Sequence, residues 1–304
     1  MIRSLSHPVR AIPLIIAAAV LLATTACGSS GKSSHSGLDV VATTVQMGAL
    51  TRAVAGNDAG VKTLIGAGID PHDFEPGPSD LKAISDANVI IRNGLGLDDW
   101  LDRTISSGGG KTKTTTATDG IQLRTIDGHP DPHVWQDPMN DKIIVANIAT
   151  ALAKADPPHA SDYQANAKAY EAKLDQVDQQ VRQIIDTIPE ANRKMVTDHD
   201  AFGYFIERYG LTYIGAVIPS TSTQAESSAK DIAALEHLIE KEHVKAIFSE
   251  ETANPKVSNQ IAHDTGAKII DTLYGDSLGG PGSGANTVDG MILANARTMA
   301  EALK

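Results

Sequence analysis

Four residues in this chain pair a metal-capable side chain with a position in a loop: His72, His133, His199 and Asp276. His72 stands in Asp70-Pro71-His72-Asp73-Phe74-Glu75-Pro76 and His133 in Asp131-Pro132-His133-Val134-Trp135-Gln136-Asp137-Pro138, each with proline on both sides. Proline fixes φ and lowers the entropy lost in holding an imidazole in one place, and a preorganised donor binds more tightly for the same contacts. His199 directly follows a short strand-like run, and Asp276 lies in Leu273-Tyr274-Gly275-Asp276-Ser277. Three imidazoles and one carboxylate in a closed shell suit Zn²⁺, with nitrogen distances of about 2.0–2.1 Å. Mn²⁺ and Fe²⁺ are acceptable to the same donors, Mn²⁺ most weakly. Glu250 and Glu251 follow another strand-like run, so either could accept a hydrogen bond from a metal-binding imidazole and set its tautomer, or simply face water. The bland alternatives are that an Asp in a Gly-rich turn serves the turn alone, and that most of the ten histidines are solvated.

In open α/β sheets ligands sit beyond the carboxyl ends of strands, so these residues require strands just before them. Residues 38–45, 61–66, 88–93 and 113–118 read as strands, with helices at 47–55, 79–87, 97–106 and 139–155. The pattern restarts with strands at 194–198, 211–217, 244–249 and 267–273 and helices at 201–209, 227–243, 255–265 and 288–303. Alternating strands and helices imply parallel pairing. Between the halves, residues 159–188 contain neither Gly nor Pro, and Tyr163, Ala167, Tyr170, Leu174, Val177, Val181, Ile184 and Ile188 form a one-face stripe. Such a helix is roughly 45 Å long. The expected fold class is α/β: two open (βα)4-like lobes joined by one long rigid helix, with a metal site in the cleft between them. A coiled-coil dimer built on the same narrow stripe is the alternative.

The chain opens like an exported protein. Arg3 and Arg10 precede an apolar run at 11–23, then Thr24-Thr25-Ala26-Cys27 and Gly28-Ser29-Ser30. This is a charged region, a short apolar core and a small-residue cleavage site. Cys27 is the one cysteine, so there is no disulfide framework, and it stands where a lipoprotein signal places its acylated residue. An ordinary secretory peptide with an incidental cysteine is the other reading. The domains expected are a signal peptide at 1–26, a flexible Ser/Gly/Lys tether at 27–37, an N-terminal lobe at 38–157, a linking helix at 158–189 and a C-terminal lobe at 190–304. The net charge of −11 becomes more negative once Arg3 and Arg10 leave with the signal, which argues against nucleic acid.

The two histidine loops, together with Pro78-Ser79-Asp80, Asp198-His199-Asp200-Ala201-Phe202-Gly203 and Asp276-Ser277-Leu278, carry a family resemblance. From about Leu38 to Lys304 the chain resembles the metal-binding solute receptors of bacterial ABC importers for zinc and manganese, some of them once called adhesins. The resemblance implies metal ligation by His72, His133, His199 and Asp276, and small lobe movements about a rigid helix. It also implies a permease and its ATPase as partners, a monomeric receptor, and attachment to the membrane through Cys27. His at position 199 follows the zinc-type pattern, where manganese-type members often carry Glu. Many zinc receptors have a His-rich loop before the second ligand; here residues 108–128 contain no histidine, which weakens zinc relative to Mn²⁺ or Fe²⁺.

A zinc hydrolase using Glu250 or Glu251 as general base is a competing function. It lacks a His-Glu-x-x-His helix, and four protein ligands leave no open position for water. An adhesin acting through its surface is a weaker third. Because histidine must be neutral to ligate, metal affinity is expected to fall as pH drops through about 6.

Overall fold

Each half of the chain builds a four-stranded parallel sheet, and the two sheets have the same topology. A computed structural model describes Met1 and residues 37–108, 113–250, 252 and 254–304. Residues 2–36, which hold most of the proposed signal and tether with Cys27, lie outside the described residues, as do Glu251 and residues 109–112 near the start of the histidine-free stretch. The first half runs β1 (Leu38–Ala42), α1 (Val45–Ala55), β2 (Ala59–Thr63), α2 (Pro78–Asp86), β3 (Val89–Arg92), α3 (Trp100–Gly108) and β4 (Lys113–Thr116). A small ribbon of β5 (Thr125–Ile126) and β6 (His129–Pro130) precedes α4 (Pro138–Ala155). The long helix α5 (Ala160–Ile185) leads to β7 (Lys194–Thr197), α6 (Gly203–Tyr209), β8 (Thr212–Ala216), α7 (Ala229–Glu242), β9 (Ala246–Glu250), α8 (Lys256–Thr265), β10 (Lys268–Leu273) and α9 (Val288–Leu303). The sheet orders are β2-β1-β3-β4 and β8-β7-β9-β10. In both, the second strand of the half lies outside the first and the third lies on the other side, so each has its switch point beside its first strand.

The strands are apolar on both faces and sort their side chains by alternation. Val40, Val89, Ile91, Met195, Ala246 and Phe248 face an inner core, whereas Val41 and Ile90 face an outer cluster with Ile84 and Leu101. Val196 and Ile247 likewise face an outer cluster with Leu235, Ile239 and Ile261. Helices α2 and α3 thus cover one sheet's outer face, and α7 and α8 the other's. The inner faces of both sheets share one continuous core that also takes in α1, α4, α5 and α9. On α5 the buried stripe is Tyr163, Ala167, Leu174, Val177, Val181 and Ile185, and it packs against α4, α9 and α1 of the same chain. The apolar seam that a coiled-coil partner would need is already covered.

Boundaries moved where local chemistry overrides apolar pattern. The first strand stops at Ala42 because Thr44 caps α1, its hydroxyl accepting from the Met47 amide. The helix expected from Leu97 starts at Trp100, after a turn in which Leu95 and Gly96 have positive φ. The β5–β6 ribbon was not anticipated. Its turn, Asp127-Gly128 with φ of 51° and 82°, has the left-handed pair that two-residue hairpins require.

Candidate metal centre

All four singled-out residues converge. His72 lies in a single 3₁₀ turn (Pro71–Asp73) beyond β2, held there by Asp70, whose carboxylate accepts from the His72 amide at 2.8 Å. His133 follows the β5–β6 ribbon and opens a second 3₁₀ turn (Val134–Gln136). His199 comes two residues after β7, and Asp276 three residues after β10. One ligand-capable atom from each falls within 4.8 Å of all the others.

The separations have chemical content. Asp276 Oδ2 is 3.3 Å from His72 Nε2 and 3.2 Å from His199 Nε2, and Oδ1 is 3.2 Å from His133 Nε2. A tetrahedron with bonds of about 2.0–2.1 Å has edges of about 3.3–3.4 Å, so these spacings match a shared small cation. None of the three Nε2 atoms or the two Asp276 oxygens makes a hydrogen bond, although all are buried. A buried polar atom without a hydrogen bond costs about 1–3 kcal/mol, and five at one point form a donor set that a bound cation would satisfy. His133, His199 and Asp276 are sealed from solvent, while the His72 side chain retains 7% exposure. A cleft of about 830 Å³ lined by His72, Phe74, Leu81, Leu97 and Trp100 opens beside it.

Carboxylates stand behind two of the imidazoles. Asp131 Oδ1 lies 2.8 Å from His133 Nδ1 and accepts from the His133 amide at 3.0 Å. His199 Nδ1 lies 3.2 Å from Asp198 Oδ1 and 3.3 Å from Glu250 Oε1. With Nδ1 so engaged, each ring presents Nε2 to the common centre. Glu250 also accepts at Oε2 from the Gly275 and Asp276 amides, at 3.1 and 2.7 Å, and so fixes the loop that carries Asp276. A side chain at 275 would collide with the Glu250 carboxylate. Asp131 and Asp198 were part of the recognised motifs but had been given no role. The signal was present, because an Asp precedes each histidine by one or two residues.

Burial alone would push the His133 pKa down, yet the neighbouring Asp276 and Asp131 carboxylates outweigh it and raise it to about 9. Burial also opposes charge on His199, and Glu250 and Asp276 overcome it, raising its pKa well above the ordinary value. Asp276 moves the other way: burial favours its neutral form, but His199, His72 and His133 hold it well below the usual carboxylate range. Burial next to Asp198 pushes Glu250 well up. In the empty site these carboxylates therefore favour the protonated form of His133 and His199, with which a metal would have to compete.

The centre is closed by bonds between the two halves. The Trp135 indole donates to the Gly275 carbonyl at 2.8 Å, the Ser277 hydroxyl accepts from the Gly68 amide at 2.7 Å, and the Thr223 hydroxyl donates to Asp70 at 2.6 Å. Trp135 is fully buried, with its ring edge-on to the His133 ring. Glu250 is buried behind His199 rather than facing water.

The family model described as zinc-uptake complex component A periplasmic (ZnuA) matches residues 40–302. The chain is 32% identical over 289 residues to the manganese-binding lipoprotein MntA of Halalkalibacterium halodurans, covering 93% of this chain and 95% of that one. It is 30% identical to the iron ABC transporter substrate-binding lipoprotein MtsA of Streptococcus pyogenes, covering 91% and 93%. Among solved structures, the periplasmic zinc binding protein TroA of Treponema pallidum superposes with a TM-score of 0.83 at 28% identity, over 88% of this chain and 99% of that one. The protein belongs to the ZnuA family of metal-binding receptors of ABC transporters.

Proposed function

We propose that this chain captures one divalent transition metal outside the cytoplasm, with His72, His133, His199 and Asp276 as ligands, and delivers it to the permease and ATPase of an ABC importer. The observation that carries this reading is the set of five buried, unpartnered donor atoms spaced like the edges of a small coordination polyhedron. Four protein ligands leave no open position for water, which favours binding over hydrolysis. Three neutral imidazoles and a carboxylate support Zn²⁺ as the cargo. Mn²⁺ or Fe²⁺ is the second reading: Asp276 turns both oxygens into the centre, which suits a higher coordination number, and the relatives named above include manganese and iron proteins.

Protein stripped with chelator and reloaded should hold one ion per chain, and His72→Ala with His133→Ala should abolish stoichiometric binding; a double variant that still holds one ion would overturn the assignment. Competition among Zn²⁺, Mn²⁺ and Fe²⁺ on the stripped protein decides the cargo. We further propose that Cys27 is acylated after removal of residues 1–26. Cys27→Ala should then shift the protein from the membrane fraction to the soluble extracytoplasmic fraction, and unchanged fractionation would exclude the anchor.

A further inference from the structure

We propose that Arg124, which immediately precedes the β5–β6 ribbon, is the positioning residue through which the C-terminal half fixes the His133 imidazole for metal. The proposal rests on the metal-binding reading above. Arg124 Nη1 pairs with Oδ2 of Asp131, whose Oδ1 faces His133 Nδ1 at 2.8 Å. Asp131 is fully buried, and among the described residues Arg124 and His133 are the basic groups paired with its carboxylate. The guanidinium therefore determines which way the carboxylate plane faces, and the carboxylate determines where the ring points.

What holds Arg124 belongs almost entirely to the other half of the molecule. Its guanidinium lies 5.5 Å from the Tyr204 ring centroid and 3.6 Å from Glu207, both on α6. Its amide donates to the Tyr204 hydroxyl at 3.1 Å, and that hydroxyl in turn donates to the Asp131 carbonyl at 3.0 Å. The guanidinium covers the first residue of α6 so closely that a β-carbon on Gly203 would overlap it. A side chain at 203 would therefore have to displace the guanidinium, whereas no positive φ is involved. The Asp127-Gly128 turn folds the ribbon back so that Arg124, just before β5, meets Asp131, just after β6, and the Asp131 amide donates to the Arg124 carbonyl at 2.9 Å. Separation of the halves would remove the seat of Arg124 and release the His133 ring together.

Arg208 provides the comparison. It lies on the same helix and joins the halves through Asp137 and Asp178, at 3.0 and 2.7 Å, without touching Asp131. Co²⁺ serves as the probe, since its visible absorption reports ligand geometry at the centre. Arg124→Ala is expected to weaken Co²⁺ affinity by about 10–100-fold, mostly through faster release, and to alter the absorption band. Arg124→Lys should recover part of the affinity, because it returns a positive charge to Asp131. Gly203→Ala, which displaces the guanidinium without removing it, should reproduce the altered band and keeps the test decisive if Arg124→Ala folds poorly. Arg208→Ala should lower the unfolding temperature but leave the band as in the unaltered protein. Unaltered affinity and spectrum in Arg124→Ala, or the same spectral change in Arg208→Ala, would overturn the positioning role. Failure of the unaltered protein to bind Co²⁺ or any other divalent metal would instead overturn the receptor reading.

Discussion

At the scale of residues, the centre is an arrangement of acids that makes imidazoles better donors and worse competitors at once. Asp131, Asp198 and Glu250 turn Nε2 inward, but with Asp276 they also favour protonation of the empty site. His133 is raised from 6.5 to about 9, so metal must displace a proton from it across this whole range. Apparent affinity is therefore expected to climb with pH from 6.5 to about 9 and then level off, which titrations with a competing chelator at fixed free metal will measure; a curve already flat above pH 7 would contradict it. The stability of the empty protein has the opposite sign. A raised histidine pKa contributes stability that is complete below the unfolded value of 6.5 and is lost as pH passes through about 9. The metal-free unfolding temperature should fall over that interval and the metal-loaded one should not. Glu250→Gln keeps the shape of the side chain but changes its charge beside His199 and its grip on the Asp276 amide, and it should lower metal affinity by about 10–100-fold. Isothermal titration at pH 7.5 provides the check, and undiminished affinity would remove Glu250 from the centre's support.

At the scale of elements, α5 decides how the halves are coupled. Its stripe is buried in the core common to both sheets, so the helix is internal structure rather than a tether between two independent bodies. Leu174 is fully buried near its middle. Leu174→Ala is expected to cost about 2–5 kcal/mol of global stability. Because the shared core makes unfolding cooperative, denaturant melts followed by Trp fluorescence and by far-ultraviolet circular dichroism should shift together. Two separated transitions would show that the halves unfold independently. The expected stripe was right in register from Tyr163 to Val181. Towards its end Ile185 takes the fully buried place expected of Ile184, while Ile188, just past the helix, is buried as expected.

At the scale of the whole molecule, two sheets of identical order flank one cleft, and each half of the chain brings two of the four candidate ligands to it. A ligand that joins both halves stabilises the folded state by mass action, and free Zn²⁺ at 100 times its Kd should add about 2.7 kcal/mol. Thermal melts with and without metal will measure this, with chelator reversing it; unfolding temperatures that do not respond to any divalent metal would refute the centre. The continuous core further predicts nearly superimposable solution scattering for the empty and loaded forms, and a marked compaction on loading would show a hinge that this core does not provide.

The α/β class, the long helix and the positions of the four donors were legible in the sequence because they depend on local chemistry: apolar periodicity, a stretch free of Gly and Pro, and histidines flanked by proline after strand-like runs. The Asp127-Gly128 hairpin was equally local and was passed over between stronger signals. Tertiary structure alone decided that Glu250 stands behind His199, that Trp135 meets Gly275 beside Asp276, and that Arg124 meets Gly203 and Tyr204. Those contacts join residues about 50 to 140 positions apart. No local propensity encodes them, since they exist only once two separately patterned sheets have buried their inner faces in one core.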